Sequence, residues 1–135
     1  MTRGIFHHIG VACRDLDGVA GYFAALGYEP EATDFTDPAQ GIRGRFLIAP
    51  DQPRLELLVN AGESGPLDPW LAKGVKFYHF AYETPSLDAT ITEMKASRAR
   101  MVVKPVPAVA FGGRKIAFLM QPNGMLIELI EAEYG

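Results

Sequence analysis

The chain has little cysteine, no long apolar run and no excess of positive charge, and each of these absences excludes a class of protein. Cys13 is the only cysteine, so no internal disulfide can form. Its place in an apolar stretch predicts a buried, inert thiol rather than a nucleophile. No run of about 18 apolar residues occurs, so we expect no transmembrane helix, and the N-terminal residues leave no room for a signal peptide. The sequence therefore predicts a cytoplasmic protein without a membrane partner.

Acidic residues outnumber basic ones, with 16 Asp and Glu against 13 Lys and Arg and a net charge of −3. The basic residues are scattered rather than grouped into a patch, which argues against nucleic acid as a partner. The chain is 48% hydrophobic, which is enough to bury a sizeable core. Length and composition together predict one compact domain over residues 1–135.

One stretch of the sequence occurs twice. Residues 6–17 have the pattern of a strand that runs into a helix, and residues 77–88 repeat that pattern. In both copies a histidine, His8 or His79, precedes a Leu-Asp pair by the same distance. The repetition predicts two similar halves, and neither half alone is large enough to bury both faces of a small sheet.

Each half predicts a strand, a helix and three further strands. In the first half these are a strand over 4–13, a helix from Leu16, and strands near 28–35, 42–49 and 53–60. In the second half they are a strand over 76–83, a helix capped by Ser86, and strands near 101–104, 114–120 and 125–131. We therefore predict an α+β fold of two βαβββ modules, residues 1–62 and 74–135, with a connector at 63–73.

The stretch from Lys104 to Gly113 is mostly apolar and contains both proline and glycine. It predicts a long loop between two strands. An apolar loop of this length either folds into the core or covers a ligand as a lid, and the residues alone leave both alternatives open.

Two histidines and two glutamates occupy equivalent positions in the two halves. Glu56 follows His8 by 48 residues, and Glu128 follows His79 by 49. Both glutamates lie in apolar segments, so their carboxylates are predicted to be buried and to need a partner. A divalent ion bound by all four side chains would satisfy each of them, which makes the four residues candidate metal ligands. The mixed nitrogen and oxygen set suits Zn²⁺, Ni²⁺, Co²⁺, Mn²⁺ or Fe²⁺ and does not choose among them.

Each of these four residues has an ordinary explanation when it is considered alone. A lone histidine on a strand is usually structural, and a lone glutamate on a strand usually faces water. The histidines, however, recur at an offset of 71 residues and the glutamates at 72, and unrelated surface residues have no reason to do so. In addition, Gly10 and Ala12 share a predicted strand face with His8 and leave room for an ion or ligand.

With these features the sequence resembles the vicinal oxygen chelate superfamily. That superfamily includes glyoxalase I, methylmalonyl-CoA epimerase, extradiol dioxygenases and antibiotic-resistance binding proteins. The resemblance covers essentially the whole chain and is greatest to the methylmalonyl-CoA epimerases. The matching segments are His8–Ala12, Gln40–Ile42, His79–Tyr82, Gly113–Leu119 and Leu126–Leu129.

The resemblance implies a curled mixed sheet around a metal cleft, one divalent ion as the cofactor, and a homodimer. It places the metal ligands at His8, Glu56, His79 and Glu128. The implied activity is that of an isomerase or lyase, which moves a proton next to the carbonyl of a small acyl thioester or oxo-acid. Glu128 is then the first choice of catalytic base and Glu56 the second.

One departure from the epimerases and two alternatives stay open at this point. Some epimerases carry a second acid/base carboxylate on the strand after the Gln-Gly stretch, whereas residues 42–47 contain none. The first alternative is a non-catalytic, antibiotic-binding protein of the same fold, which needs no metal. The second is an extradiol-type dioxygenase, which needs two histidines and one carboxylate around Fe²⁺ and would be crowded by Glu56.

Overall fold

The computed structural model describes residues 3–133. The helices are α1 (Leu16–Ala24), α2 (Asp68–Lys73) and α3 (Leu87–Ala96), and a 3₁₀ turn occupies Val109–Phe111. The strands are β1 (Ile5–Ala12), β2 (Glu29–Pro30), β3 (Phe35–Asp37), β4 (Ile42–Ile48), β5 (Leu55–Asn60), β6 (Phe77–Thr84), β7 (Arg100–Pro107), β8 (Lys115–Met120) and β9 (Leu126–Glu131). The predicted α+β class is therefore confirmed. None of the helices in the described residues is long and apolar enough to cross a membrane.

The described residues divide into two compact units. Residues 8–78 form the first unit, and residues 3–7 together with 79–133 form the second unit. The residues predicted as a connector, 63–73, thus belong to the first unit, and Asp68–Lys73 of this segment form α2. The predicted single domain over 1–135 stays a prediction.

In the first unit the strands have the order β2-β4-β5-β1, and β3 also pairs with β4. β3 pairs with residues 42–44 of β4, whereas β2 pairs with residues 47 and 48. β1 and β5 are parallel, whereas β4 is antiparallel to β5, so this sheet is mixed. One face packs on α1 because apolar side chains alternate along β1 and β5. The buried members of that core are Val11, Cys13, Leu16, Tyr28, Leu47, Leu55, Leu57 and Val59.

The second unit repeats this plan with strands in the order β6-β9-β8-β7. β6 and β9 are parallel, and β8 is antiparallel to both β9 and β7. The Ser86 hydroxyl accepts a hydrogen bond from the Ala89 amide at 3.2 Å, so Ser86 caps α3 as predicted. The buried core beneath α3 consists of Leu87, Ile91, Ala117, Leu119, Ile127 and Leu129.

Two predicted elements are wrong. The strand expected over 28–35 is only the two-residue β2, because the chain turns away after Pro30 and begins β3 at Phe35. Arg45 holds this turn by binding Asp34 through Nε at 2.7 Å and Nη2 at 2.9 Å. Hydrogen bonding to Arg45 also lowers the pKa of the Asp34 carboxyl. The Arg45 side chain on β4 therefore binds the chain at Asp34, where the predicted strand would have continued its backbone pairing.

The long loop expected from Lys104 to Gly113 is also wrong, because β7 continues to Pro107. Pro105 and Pro107 are tolerated there since β7 ends the strand order of the second unit, and an edge strand has one side that needs no donors. The register with β8 shifts twice, between Met101 and Val103 and again before Val106, which accommodates the irregular sequence. Only the short 3₁₀ turn separates β7 from β8.

The buried thiol of Cys13 makes a testable contribution to alkaline stability. Burial raises the pKa of Cys13 from its ordinary value of 9.0 to about 11. The folded state therefore keeps this proton to a higher pH than the unfolded state, so the stabilisation is complete below about pH 9 and is lost as the pH rises through 11. Between pH 8 and 11 the free energy of unfolding should fall by roughly 2 kcal/mol more in the wild type than in Cys13→Ala, as measured by urea denaturation. Parallel pH profiles for the two proteins would contradict this prediction.

Candidate metal centre

The first unit places His8 beside Glu56. His8 lies on β1 and Glu56 on β5, and these parallel strands are in register with Gly10 opposite Glu56. His8 Nε2 and Glu56 Oε1 are 3.1 Å apart. Both residues are buried, with 0% and 4% of their surface exposed. A carboxylate this deeply buried is costly unless it is paired, so the contact with His8 explains how it is accommodated.

The second unit places His79 beside Glu128 in the same manner. His79 lies on β6 and Glu128 on β9, with Ala81 opposite Glu128 in the parallel register. His79 Nε2 and Glu128 Oε1 are again 3.1 Å apart, and each residue is 4% exposed. The two predicted His–Glu combinations are therefore equivalent in strand, register, contact atom and burial.

Alternation along the strands directs these side chains away from the helices. Val11 on β1 and Cys13, which directly follows this strand, belong to the core beneath α1, whereas Ala12 packs in a separate cluster on the other face. His8 shares the face of Ala12 because both are at even positions of the strand. On the parallel partner strand the residue opposite each glutamate is small, glycine in the first unit and alanine in the second. These two positions therefore leave space beside each carboxylate on the side of the parallel strand.

A phenylalanine accompanies each pair, and the sequence analysis did not assign either one to the site. Phe46 on β4 lies directly opposite Glu56, and its ring is 5.3 Å from that of His8. Phe118 on β8 lies directly opposite Glu128, and its ring is 5.1 Å from that of His79. Phe118 follows Phe46 by 72 residues, the same offset as the glutamates. This shared offset is the feature of the sequence that could have assigned both phenylalanines to the site.

The donor atoms of each pair fit a divalent metal ion. Imidazole nitrogen and carboxylate oxygen bind such ions at about 2.0–2.2 Å. Two ligand atoms at right angles around one ion then lie about 3 Å apart, which matches the observed separation of 3.1 Å in both pairs. Each buried residue offers one such atom. The residues present are therefore suited to Zn²⁺, Ni²⁺, Co²⁺, Mn²⁺ or Fe²⁺.

Two arginines, Arg45 and Arg114, could bind an anionic substrate but are engaged within the fold. Arg45 binds Asp17 at 2.8 Å in addition to Asp34, and this links α1 to β4. Arg114 Nη1 donates to Glu83 Oε2 at 2.9 Å and to the Glu131 carbonyl at 3.0 Å. These contacts give both arginines a structural role in connecting elements of the fold.

Two βαβββ modules that each carry a buried His–Glu pair define a class of duplicated α+β proteins, and comparison with known proteins identifies the family. The sequence pattern of the Glyoxalase/Bleomycin resistance protein/Dioxygenase superfamily matches residues 7–118. The chain belongs to this superfamily, which confirms the predicted resemblance. A comparison with curated proteins gives no match.

Solved structures with the same fold include a hypothetical protein and several epimerases. A hypothetical protein from Bacillus halodurans is 26% identical, with a TM-score of 0.82 over 98% of this chain and 96% of that one. A methylmalonyl-CoA epimerase from Mycobacterium tuberculosis is 26% identical, with a TM-score of 0.78 over 93% and 86% of the two chains. A Streptomyces coelicolor methylmalonyl-CoA epimerase in complex with 2-nitronate-propionyl-CoA is 28% identical, with a TM-score of 0.77 over 95% and 96%.

Proposed function

We propose that the protein is a divalent-metal-dependent enzyme of the epimerase or glyoxalase type, which transfers a proton next to a carbonyl group. The observation that carries this proposal is the duplicated buried His–Glu pair, with the same 3.1 Å contact in each unit. His8, Glu56, His79 and Glu128 would together hold one ion. Membership of the superfamily and the likeness to epimerase structures support the assignment.

The chemistry follows from the buried carboxylates. A bound divalent ion would stabilise the negative charge that develops on a carbonyl oxygen when the adjacent carbon loses its proton. Glu128 lies between Ile127 and Leu129, and its carboxylate is shielded from bulk water. Shielding from water favours a carboxylate that takes a proton from carbon and returns it within the same site. We assign the role of general base to Glu128.

The second face of the reacting carbon requires a second group, and we assign that role to Glu56. The described strand β4, which lies next to Glu56, carries no Asp or Glu over Ile42–Ile48. The residues of β4 that share the face of Glu56 are Ile42, Gly44, Phe46 and Ile48, so β4 offers no carboxylate on this face. Inversion at carbon would therefore use Glu128 and Glu56 from the two modules.

The substrate class is a small acyl thioester or oxo-acid. Epimerase structures similar to this chain are described in complex with methylmalonyl-CoA or with 2-nitronate-propionyl-CoA. We infer from this likeness that a coenzyme A thioester is the first substrate to test, and a hemithioacetal of glutathione is the second. From the resemblance to the superfamily we also expect the protein to act as a homodimer.

Deuterium exchange tests this function directly. Protein loaded separately with Zn²⁺, Co²⁺, Ni²⁺ or Mn²⁺ is incubated in D₂O with methylmalonyl-CoA, and the proton on the carbon between the two carbonyl groups is followed by NMR. We expect loss of that proton signal with at least one metal and a return to the uncatalysed rate after chelation. The hemithioacetal substrate distinguishes glyoxalase from epimerase chemistry. Metal-loaded protein without exchange on either substrate would contradict the proposal, and protein that binds no added metal would favour a non-catalytic binding protein.

A further inference from the structure

The two phenylalanines beside the histidines form a repeated feature that the proposed chemistry does not use. Phe118 is 5% exposed, and its ring stands at 86° to the His79 ring with 5.1 Å between centroids. Phe46 stands at 74° to the His8 ring with 5.3 Å between centroids. Both are edge-to-face arrangements, which are the favoured geometry of aromatic contacts.

The strand register shows that these two contacts are equivalent. Phe46 faces Glu56 across β4 and β5, and Phe118 faces Glu128 across β8 and β9. Each phenylalanine thus lies next to the glutamate of a pair and touches the histidine of the same pair. The same contact, phenylalanine edge-to-face with histidine, is therefore present at the same register position in both units.

We propose that Phe46 and Phe118 are positioning residues, which hold the two imidazole rings with Nε2 directed at the ion. This inference rests on the proposed function, since it concerns the same four ligands. The torsion that turns an imidazole about its Cβ–Cγ bond is broad and only roughly two-fold, so the ring needs contacts to fix its orientation. A flat ring packed against the imidazole supplies that contact. Ligands fixed in this way lose less freedom when the ion binds.

The support behind Phe46 provides a second way to disturb His8. The Phe35 ring lies 5.7 Å from the Phe46 ring at an angle of 31°. Phe35 occupies the space above Gly44, where any added side chain would collide with its ring. The order of contacts is therefore Gly44, Phe35, Phe46 and His8. Replacing Phe35 should loosen Phe46 while the Phe46 ring that contacts the histidine is kept.

Cobalt binding measures the proposed effect without reference to activity. Wild type, Phe46→Leu and Phe118→Leu are titrated with Co²⁺ against a chromophoric chelator, and the visible spectrum of each cobalt form is recorded. We expect each leucine variant to bind Co²⁺ about tenfold more weakly, the lower end of the effect of residues that orient metal ligands. We also expect a changed visible spectrum, because the histidine no longer keeps one orientation.

Phe23→Leu is the matched control. Phe23 packs on Tyr28 with 5.6 Å between ring centroids and belongs to the core beneath α1, on the opposite face from His8. This variant should lose stability but keep the cobalt affinity and spectrum of the wild type. Phe46→Tyr retains the ring, so its cobalt affinity should stay within about threefold of the wild type and its visible spectrum should match that of the wild type. Phe35→Leu should weaken cobalt binding by a factor between those of Phe23→Leu and Phe46→Leu. This variant tests the positioning role if Phe46→Leu does not fold.

The outcomes separate the two proposals. A wild type that binds no Co²⁺ refutes the proposed metal-dependent function. A wild type that binds Co²⁺, together with Phe46→Leu, Phe118→Leu and Phe35→Leu variants that match Phe23→Leu in affinity and spectrum, refutes the positioning role alone.

Discussion

Replacing Glu128 with glutamine should reduce proton exchange on the substrate by about 10²–10⁴-fold, the usual contribution of a general base. The amide has nearly the size and shape of the carboxylate but cannot accept a proton from carbon. Its oxygen can still act as a metal ligand, so we expect the variant to retain most of its bound ion. Exchange kinetics by NMR and metal content by elemental analysis check the two halves of this prediction.

Glu131→Gln is the appropriate control for this substitution. Glu131 lies three residues further along β9, and its carboxylate accepts a long hydrogen bond of 3.4 Å from the Lys115 amide. An odd spacing on a strand puts its side chain on the opposite face from Glu128. The same chemical change there should leave exchange within about twofold of the wild-type rate, far from the loss expected of a general base. Full activity of Glu128→Gln, with Glu131→Gln equally active, would exclude Glu128 as the base.

The His–Glu pairs could be predicted from the sequence because a carboxylate in an apolar strand stands out. Glu128 interrupts the apolar run 125–130, and it follows a histidine by 49 residues, nearly the 48 residues that separate Glu56 from His8. The parallel pairing of β1 with β5 and of β6 with β9 then brings each histidine near its glutamate. That all four side chains bind one ion remains a prediction.

Phe46 and Phe118 could not be assigned in the same way, because phenylalanine in a strand ordinarily belongs to the core. Their residue type carries no sign of a role at a metal centre. Only the shared offset of 72 residues distinguishes them, and this offset gains meaning once the register shows each one opposite a glutamate. Cross-strand neighbours depend on the pairing of distant segments, which local sequence patterns do not contain.

The two wrong elements have a common cause, which is that local preference does not contain the position of a residue in the sheet. Pro105 and Pro107 predict a loop when local preference alone is considered, yet both lie in β7 at the edge of the strand order. Residues 28–35 predict one strand, but the chain turns after Pro30, and the ion pair between Asp34 and Arg45 holds this turn. Tertiary context therefore outweighs local preference at both places.

Metal ions should stabilise the protein strongly, because they bind groups that are buried in the folded state and dispersed in the unfolded one. Glu56 and Glu128 are each 4% exposed, and an ion would compensate the cost of burying their charges. An ion at about 1,000 times its dissociation constant contributes about 4 kcal/mol to the free energy of unfolding. For a chain of this size that corresponds to a rise in Tm of about 15 °C. Calorimetry of chelator-treated protein with and without added Zn²⁺ or Co²⁺ measures this rise.

Two adjacent histidines make a matched pair of variants for that measurement. His8 contacts Glu56, whereas His7 packs its ring edge-to-face on Phe111 at 5.4 Å in the second unit. His7→Ala should keep the rise in Tm on adding metal even if its starting Tm is lower, since the ligand atoms remain. His8→Ala should lose most of the rise, because one ligand is gone and Glu56 is left buried beside an empty space. An equal rise in both variants would show that the ion binds elsewhere, and His8 would then be a structural partner of Glu56.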